Sequence, residues 1–249
     1  MYINQTIETL SKLKLTGMLQ ALQEQLDMPD AGSLSFEERL NLLVDREALE
    51  RSNRQYKQRL KQAKLKHNAV MEDMDFKTQR GLEKSVIMSL SQCEWIHRHQ
   101  NIIITGPTGV GKTFVASALA QKACREGFKA MYHRLSRLLT DLAISRGDGR
   151  LSRLMQSLAK TDVLVIDDFG LSVLTEHQSR DLLEVIEDRY NVRSTILTTQ
   201  FPIDKWHELV GDPTIADAIL DRLVHNAHKI HMKGGSMRKK MHSVVKTTT

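Results

Sequence analysis

The sequence is poor in aromatic residues and nearly devoid of cysteine. Aromatics are 5% of its 249 residues, so leucine, isoleucine, valine, methionine and alanine must do most of the packing. The hydrophobic share, 41%, is enough for a sizeable core. The two cysteines, Cys93 and Cys124, stand far apart, and neither belongs to a C-x-x-C pair. This argues against a disulfide framework and a cysteine metal site, and for core or surface thiols in a reducing cytoplasm. No apolar run is long enough to span a membrane. The stretch "MYINQTIETL" lacks the basic and apolar blocks of a signal peptide, so a cytoplasmic protein is expected. Acid is in deficit too. The net charge of +6 and a pI near 9.3 point to an anionic partner, most simply nucleic acid.

Residues 1 to about 66 carry helical patterns. Ile7, Leu10, Leu13, Leu15, Met18, Leu19, Leu22 and Leu26 recur at helical spacing. "DMPDAGS" breaks the pattern. "SLSFEERLNLLVDREALE" restarts it, with Ser35 as N-cap and Glu38 three residues on. The next segment, "RSNRQYKQRLKQAKLKH", is basic with no acid. An irregular linker and a helix over roughly 81–96 follow. Thereafter β-rich runs alternate with amphipathic helices: "NIIIT", "FKAMYHRL", "DVLVID", "STILTT" and a last strand "HKIHM". Such alternation predicts an α/β fold, a parallel sheet with helices on both faces.

The strongest signal is "GPTGVGKT", spaced G-x-x-x-x-G-K-T after a strand and before a helix. Glycines at Gly106, Gly109 and Gly111 free the backbone to converge its N–H groups on a phosphate. Pro107, Thr108 and Val110 complete the loop. The helix that follows adds its positive end. Lys112 reaches the β- and γ-phosphates of ATP, and Thr113 ligates Mg²⁺. "TDVLVIDDFG" supplies an apolar run ending in Asp167, which suits the second Mg²⁺-holding position. A lone run of this kind is an ordinary buried strand; beside a phosphate loop it gains meaning. The strand-like segment 128–135 lies between the two motifs in sequence. That arrangement fits the additional-strand class of P-loop proteins, in which another strand separates the two motif strands. The class places an acidic base after the Asp167 position, here Asp168. It also ends its next strand in a polar sensor, for which Thr199 and Gln200 are both available.

Taken together, "GPTGVGKT", "LVIDDFG", "STILTTQFPIDKWHELVGDPTIADAILDRLVHN" and "KGGSMRK" closely resemble IstB, the helper ATPase of bacterial insertion sequences. That family groups with the DnaC-type helicase loaders inside the AAA+ ATPases. The resemblance covers most of residues 36–240. It implies ATP hydrolysis, self-assembly, binding to double-stranded DNA, and service to a transposase during target capture and integration. Gly106, Gly111, Lys112 and Thr113 match the family's phosphate loop, and Asp167 its second motif. Asp168 stands where many AAA+ proteins have Glu, and Gln200 where many have Asn. Arg222 matches the arginine-finger position. The expected organisation is a helical N-terminal domain over 1–66, an ATPase domain over 67–240 without a helical lid, and a disordered tail over 241–249. Arg238 is a candidate phosphate contact in place of a lid; a solvated basic tail is the alternative.

Arg54, Lys57 and Lys61 are candidate DNA-backbone contacts, with a solvated helix face as the plain reading. Arg146, Arg150 and Arg153 form a second candidate set by fold analogy. His225, His228 and His231 show metal-like spacing, but no carboxylate or cysteine completes a ligand shell nearby. Two other functions compete with the transposition helper. A DnaC-like helicase loader would use the same engine. A small-metabolite kinase needs an acceptor pocket and a lid, for which no segment stands out.

Overall fold

A computed structural model describes residues 2–28 and 33–237. The chain divides into two compact units, Met1–Gln58 and Arg59–Thr249. The boundary falls inside a helix, eight residues before the expected one at 66.

The first unit is helical. It contains α1 (Tyr2–Lys12), α2 (Thr16–Asp27) and most of α3 (Phe36–Ala63). The predicted reciprocal cap opens α3: Ser35 N–H donates to Glu38 Oε2 at 2.8 Å, and Glu38 N–H to Ser35 Oγ at 3.2 Å. The buried Glu47 carboxylate accepts from Gly17 N–H at 2.8 Å and Met18 N–H at 3.3 Å, satisfying free donors in the first turn of α2. The basic stretch is no separate segment. It continues α3 without a break to Ala63, a 28-residue helix.

The second unit is built on five parallel strands: β1 (Asn101–Thr105), β2 (Ala130–Arg134), β3 (Val163–Phe169), β4 (Ser194–Thr199) and β5 (Ala227–His231). Their order is β2-β3-β4-β1-β5. The strand separating β1 from β3 in space is therefore β4, as the additional-strand class requires. Alternation along each strand splits the core in two. Ile103, Leu164, Ile166 and Leu197 face one layer, packed with residues of α7 (Leu135–Gly147), α8 (Leu151–Lys160), α9 (Glu176–Glu187), α10 (Trp206–Val210) and α11 (Pro213–Val224). Ile102, Ile104, Val163, Val165 and Ile196, all buried, lie on the other face, the side of α6 (Lys112–Arg125). The expected helix over 81–96 is two helices, α4 (Lys84–Leu90) and α5 (Glu94–His97). Cys93 between them is left-handed, φ 61°, which ends the first helix before the second can continue it. No helical lid follows β5 among the described residues.

Candidate nucleotide site

The phosphate loop leaves β1 at Thr105 and enters α6 at Lys112. Gly106 and Gly109 take φ values of 147° and 82°. A Cβ on Gly106 would lie 2.3 Å from the Met232 carbonyl oxygen, and one on Gly109 would lie 2.4 Å from Ser236 Oγ. Only glycine fits these positions. The chain after β5 backs the loop, with Met237 N–H donating to the Gly109 oxygen at 2.9 Å. Lys112 is 7% exposed, and its Nζ donates to the Gly106 and Pro107 carbonyls at 2.7 and 2.9 Å. Burial lowers its pKa, while Asp168 and Asp167 pull it back up.

Asp167 is fully buried at the C-terminal half of β3. Thr113 Oγ1 lies 3.0 and 3.2 Å from its two oxygens. Thr198 Oγ1 donates to Oδ1 at 2.5 Å, and Tyr132 Oη to Oδ2 at 2.6 Å. Burial first, and then the bond to Asp167, drives the Tyr132 pKa far up, so this hydroxyl remains a donor. Lys66 Nζ lies 3.6 Å from Oδ2. Tyr132 and Thr198 do not stand out in the sequence, and Lys66 does so only as the end of the basic stretch read as a DNA-backbone contact. Thr198 was within reach of the "LTTQ" signal, one residue before the pair considered.

Asp168 sits in a register shift between β3 and β4, with φ 62°. The bulge turns its side chain away from the direction strand alternation would give. Arg134 Nε lies 2.8 Å from Asp168 Oδ2, and Asp168 N–H donates to Thr198 Oγ1 at 3.1 Å. Gln200 and Thr199 behave differently. Gln200 Oε1 accepts from Thr108 Oγ1 at 2.6 Å, so it touches the phosphate loop. Thr199 Oγ1 donates to the Phe169 carbonyl at 2.8 Å and accepts from Phe201 N–H, which ties two strand ends together.

The structure thus brings Gly106–Thr113, Asp167, Asp168 and Gln200 to the C-terminal edge of the sheet. Arg222 is elsewhere. It pairs with Glu187, donates to the Ala218 carbonyl at 3.0 Å, and lies 5.8 Å over the Tyr190 ring. Arg238 falls outside the described residues. Arg54, Lys57 and Lys61 are exposed on α3 and form no ion pair among the described residues. Arg146 is committed to Asp181 at 2.6 Å, and Arg150 pairs with Asp148; Arg153 is exposed. The histidines do not converge: His225 faces Asp221, His228 faces Gln100, and His231 faces Thr105.

A hydroxyl beside a buried carboxylate, next to a glycine cradle and a lysine, suits Mg²⁺ and a nucleotide phosphate. Comparison with known proteins agrees with the nucleotide. The model of the IstB-like ATP binding protein family matches residues 8–245. An insertion-sequence ATP-binding protein of Sinorhizobium fredii is 47% identical over 239 residues, covering 96% of this chain and 98% of its own. The ATP-binding protein of insertion sequence IS1162 from Pseudomonas fluorescens is 49% identical over 203 residues, covering 81% and 88%. Among solved structures, the DnaC helicase loader superposes with a TM-score of 0.55 at 20% identity, covering 67% of this chain and 97% of its own. That likeness shows the fold, a five-stranded parallel sheet of order β2-β3-β4-β1-β5 with helices on both faces. The chain belongs to the IstB-like ATP-binding protein family and is a P-loop ATPase.

Proposed function

We propose that this ATPase is a DNA-binding oligomer that assists the transposase of its insertion sequence in target capture and integration. ATP binding drives assembly on double-stranded DNA, and hydrolysis to ADP and phosphate drives release. Lys112 and the loop amides hold the β- and γ-phosphates. Thr113 and Asp167 hold Mg²⁺, which neutralises the developing phosphate charge when bound. Asp168 polarises the attacking water, and Gln200, joined to Thr108, senses the terminal phosphate. The N-terminal helical unit serves assembly and contact with DNA or partner. The protein works in the cytoplasm, in keeping with two free, buried thiols.

The observation that carries the oligomeric reading is the position of Arg222. The Asn101 amide binds the Arg222 carbonyl at 3.2 Å, so Arg222 lies at the start of β1, whereas the phosphate loop leaves its end. A five-residue strand separates those ends by about 13 Å. Arg222 is therefore too far from the loop of its own copy to serve it, and it acts on the site of a neighbouring copy once released from Glu187 and the Tyr190 ring.

Electron microscopy of the protein with ATP, with and without duplex DNA, tests this reading. ATP-dependent assemblies on DNA, lost in Lys112→Ala, are expected. Monomers under every condition would overturn it. Affinity capture from cells then identifies the partner: a transposase supports the proposal, and a replicative helicase replaces it with a loader.

A further inference from the structure

Asp167 has no exposed surface, and a buried carboxylate is stable only when its charge is answered. Three hydroxyls, from Thr113, Tyr132 and Thr198, surround it. The neighbouring basic groups are engaged elsewhere, Lys112 with the Gly106 and Pro107 carbonyls and Arg134 with Asp168. Among the described residues, Lys66 is the basic side chain within ion-pair distance of Asp167.

Lys66 is brought there by a fixed piece of chain. Arg59 Nε donates to the Cys124 carbonyl at 2.8 Å and pins the last turns of α3 to the end of α6. Ala63 is fully buried. Lys64 takes a left-handed φ of 50°, which ends α3 and turns the chain toward β2 and β3. Two residues later Lys66 extends across to Oδ2, with its side chain 37% exposed.

We propose that Lys66 is a tethered cation that holds the Asp167 carboxylate until a divalent metal replaces it. The inference rests on Thr113 and Asp167 being the metal-holding pair. A divalent ion there brings two more positive charges to a carboxylate that Lys66 already faces. Mutual repulsion then expels the ammonium, which has solvent to move into. Metal binding is thereby reported to the exit of α3, the helix that also forms most of the last part of the N-terminal unit. Lys66 is a positioning residue in this scheme and takes no part in the chemistry.

The test uses the full chain, Mn²⁺ as probe, and electron paramagnetic resonance to count bound ion, with and without a non-hydrolysable ATP analogue. Lys66→Met should bind Mn²⁺ roughly three- to ten-fold more tightly than wild type. Lys66→Arg, which keeps the charge, should stay near wild type. Asp167→Asn should lose the bound ion. Hydrogen exchange supplies a second readout: amides of residues 64–67 should exchange faster with nucleotide plus Mg²⁺ than with nucleotide plus chelator. Equal Mn²⁺ affinity in Lys66→Met and wild type, with binding still lost in Asp167→Asn, would overturn the role of Lys66 alone. Undiminished binding in Asp167→Asn would remove the metal site itself and the proposal with it.

Discussion

Asn101 and Arg222 are joined across 121 positions of sequence, the Asn101 side-chain amide donating to the Arg222 carbonyl at 3.2 Å. The bond fixes the C-terminal end of α11 to the end of the sheet opposite the phosphate loop. Arg222→Ala should therefore bind ATP nearly as well as wild type and hydrolyse it on the order of 10³-fold more slowly. Mixing it with Lys112→Ala should restore part of the activity, because one interface in the mixture joins an intact loop to an intact arginine. No recovery in mixtures shown to co-assemble would place the finger elsewhere.

Asp168→Asn should keep ATP binding and lose hydrolysis by about 10²–10⁴-fold, since the amide preserves shape and removes the base. Complexes with ATP on DNA should then outlive those of wild type in a dissociation assay. Release at the wild-type rate would separate turnover from disassembly.

Arg54, Lys57 and Lys61 are spaced three and four residues apart and share one exposed side of α3. If they contact DNA phosphates, affinity should fall with salt at a log–log slope of about −0.9 per phosphate. Replacing all three with glutamine should flatten that slope by two to three such steps. An unchanged slope returns this side of α3 to plain solvation.

Arg189 is buried and donates to the carbonyls of Leu158, Thr161 and Ser194 and to Thr195 Oγ1. Arg189→Met strands these acceptors and should cost on the order of 3 kcal/mol. Calorimetry should show a melting temperature about 6–12 °C lower, with nucleotide still bound by the folded protein at low temperature. A loss of nucleotide binding without a loss of stability would contradict this structural role.

Burial pushes the Cys93 thiol up to about 11, and raises Cys124 as well. At pH 8 roughly one Cys93 in a thousand is a thiolate. Native protein should resist a thiol reagent that modifies both cysteines after denaturation. The Cys93 shift is upward, so its contribution to stability is complete below the ordinary thiol pKa of 9 and is lost as pH rises through 11, and Cys124 shifts in the same direction. Denaturant midpoints measured between pH 8 and 11 should decline accordingly.

The phosphate loop was legible because its chemistry is contiguous: eight residues, Gly106 to Thr113, carry the glycines, the lysine and the hydroxyl together. Asp167 was legible by the apolar run before it. Its partners were not. Tyr132 and Thr198 reach it from β2 and β4, and strand order is a property of how the chain returns to the sheet, which no local period records. The length of α3 was missed for a different reason. Its last turns have few apolar residues, yet arginine, lysine, glutamine and leucine are good helix formers, and propensity carries the helix where patterning fades. The break at Cys93 left no trace, since neither glycine nor proline marks it. Arg222 was identified by resemblance; its separation from the loop needed the fold.

The phosphate loop is synthesised early and completed late. Its backing comes from Met232 and Met237, more than 120 positions downstream, where Met232 N–H donates to the Thr105 carbonyl at 2.8 Å and Met237 N–H to the Gly109 carbonyl at 2.9 Å. Contacts so distant in sequence form only after the intervening strands have settled. A growing polypeptide that has just emerged through Thr113 therefore carries every residue of the phosphate motif without the surface that shapes it. During translation the loop therefore lacks this backing until β5 and the turn beyond it have been made.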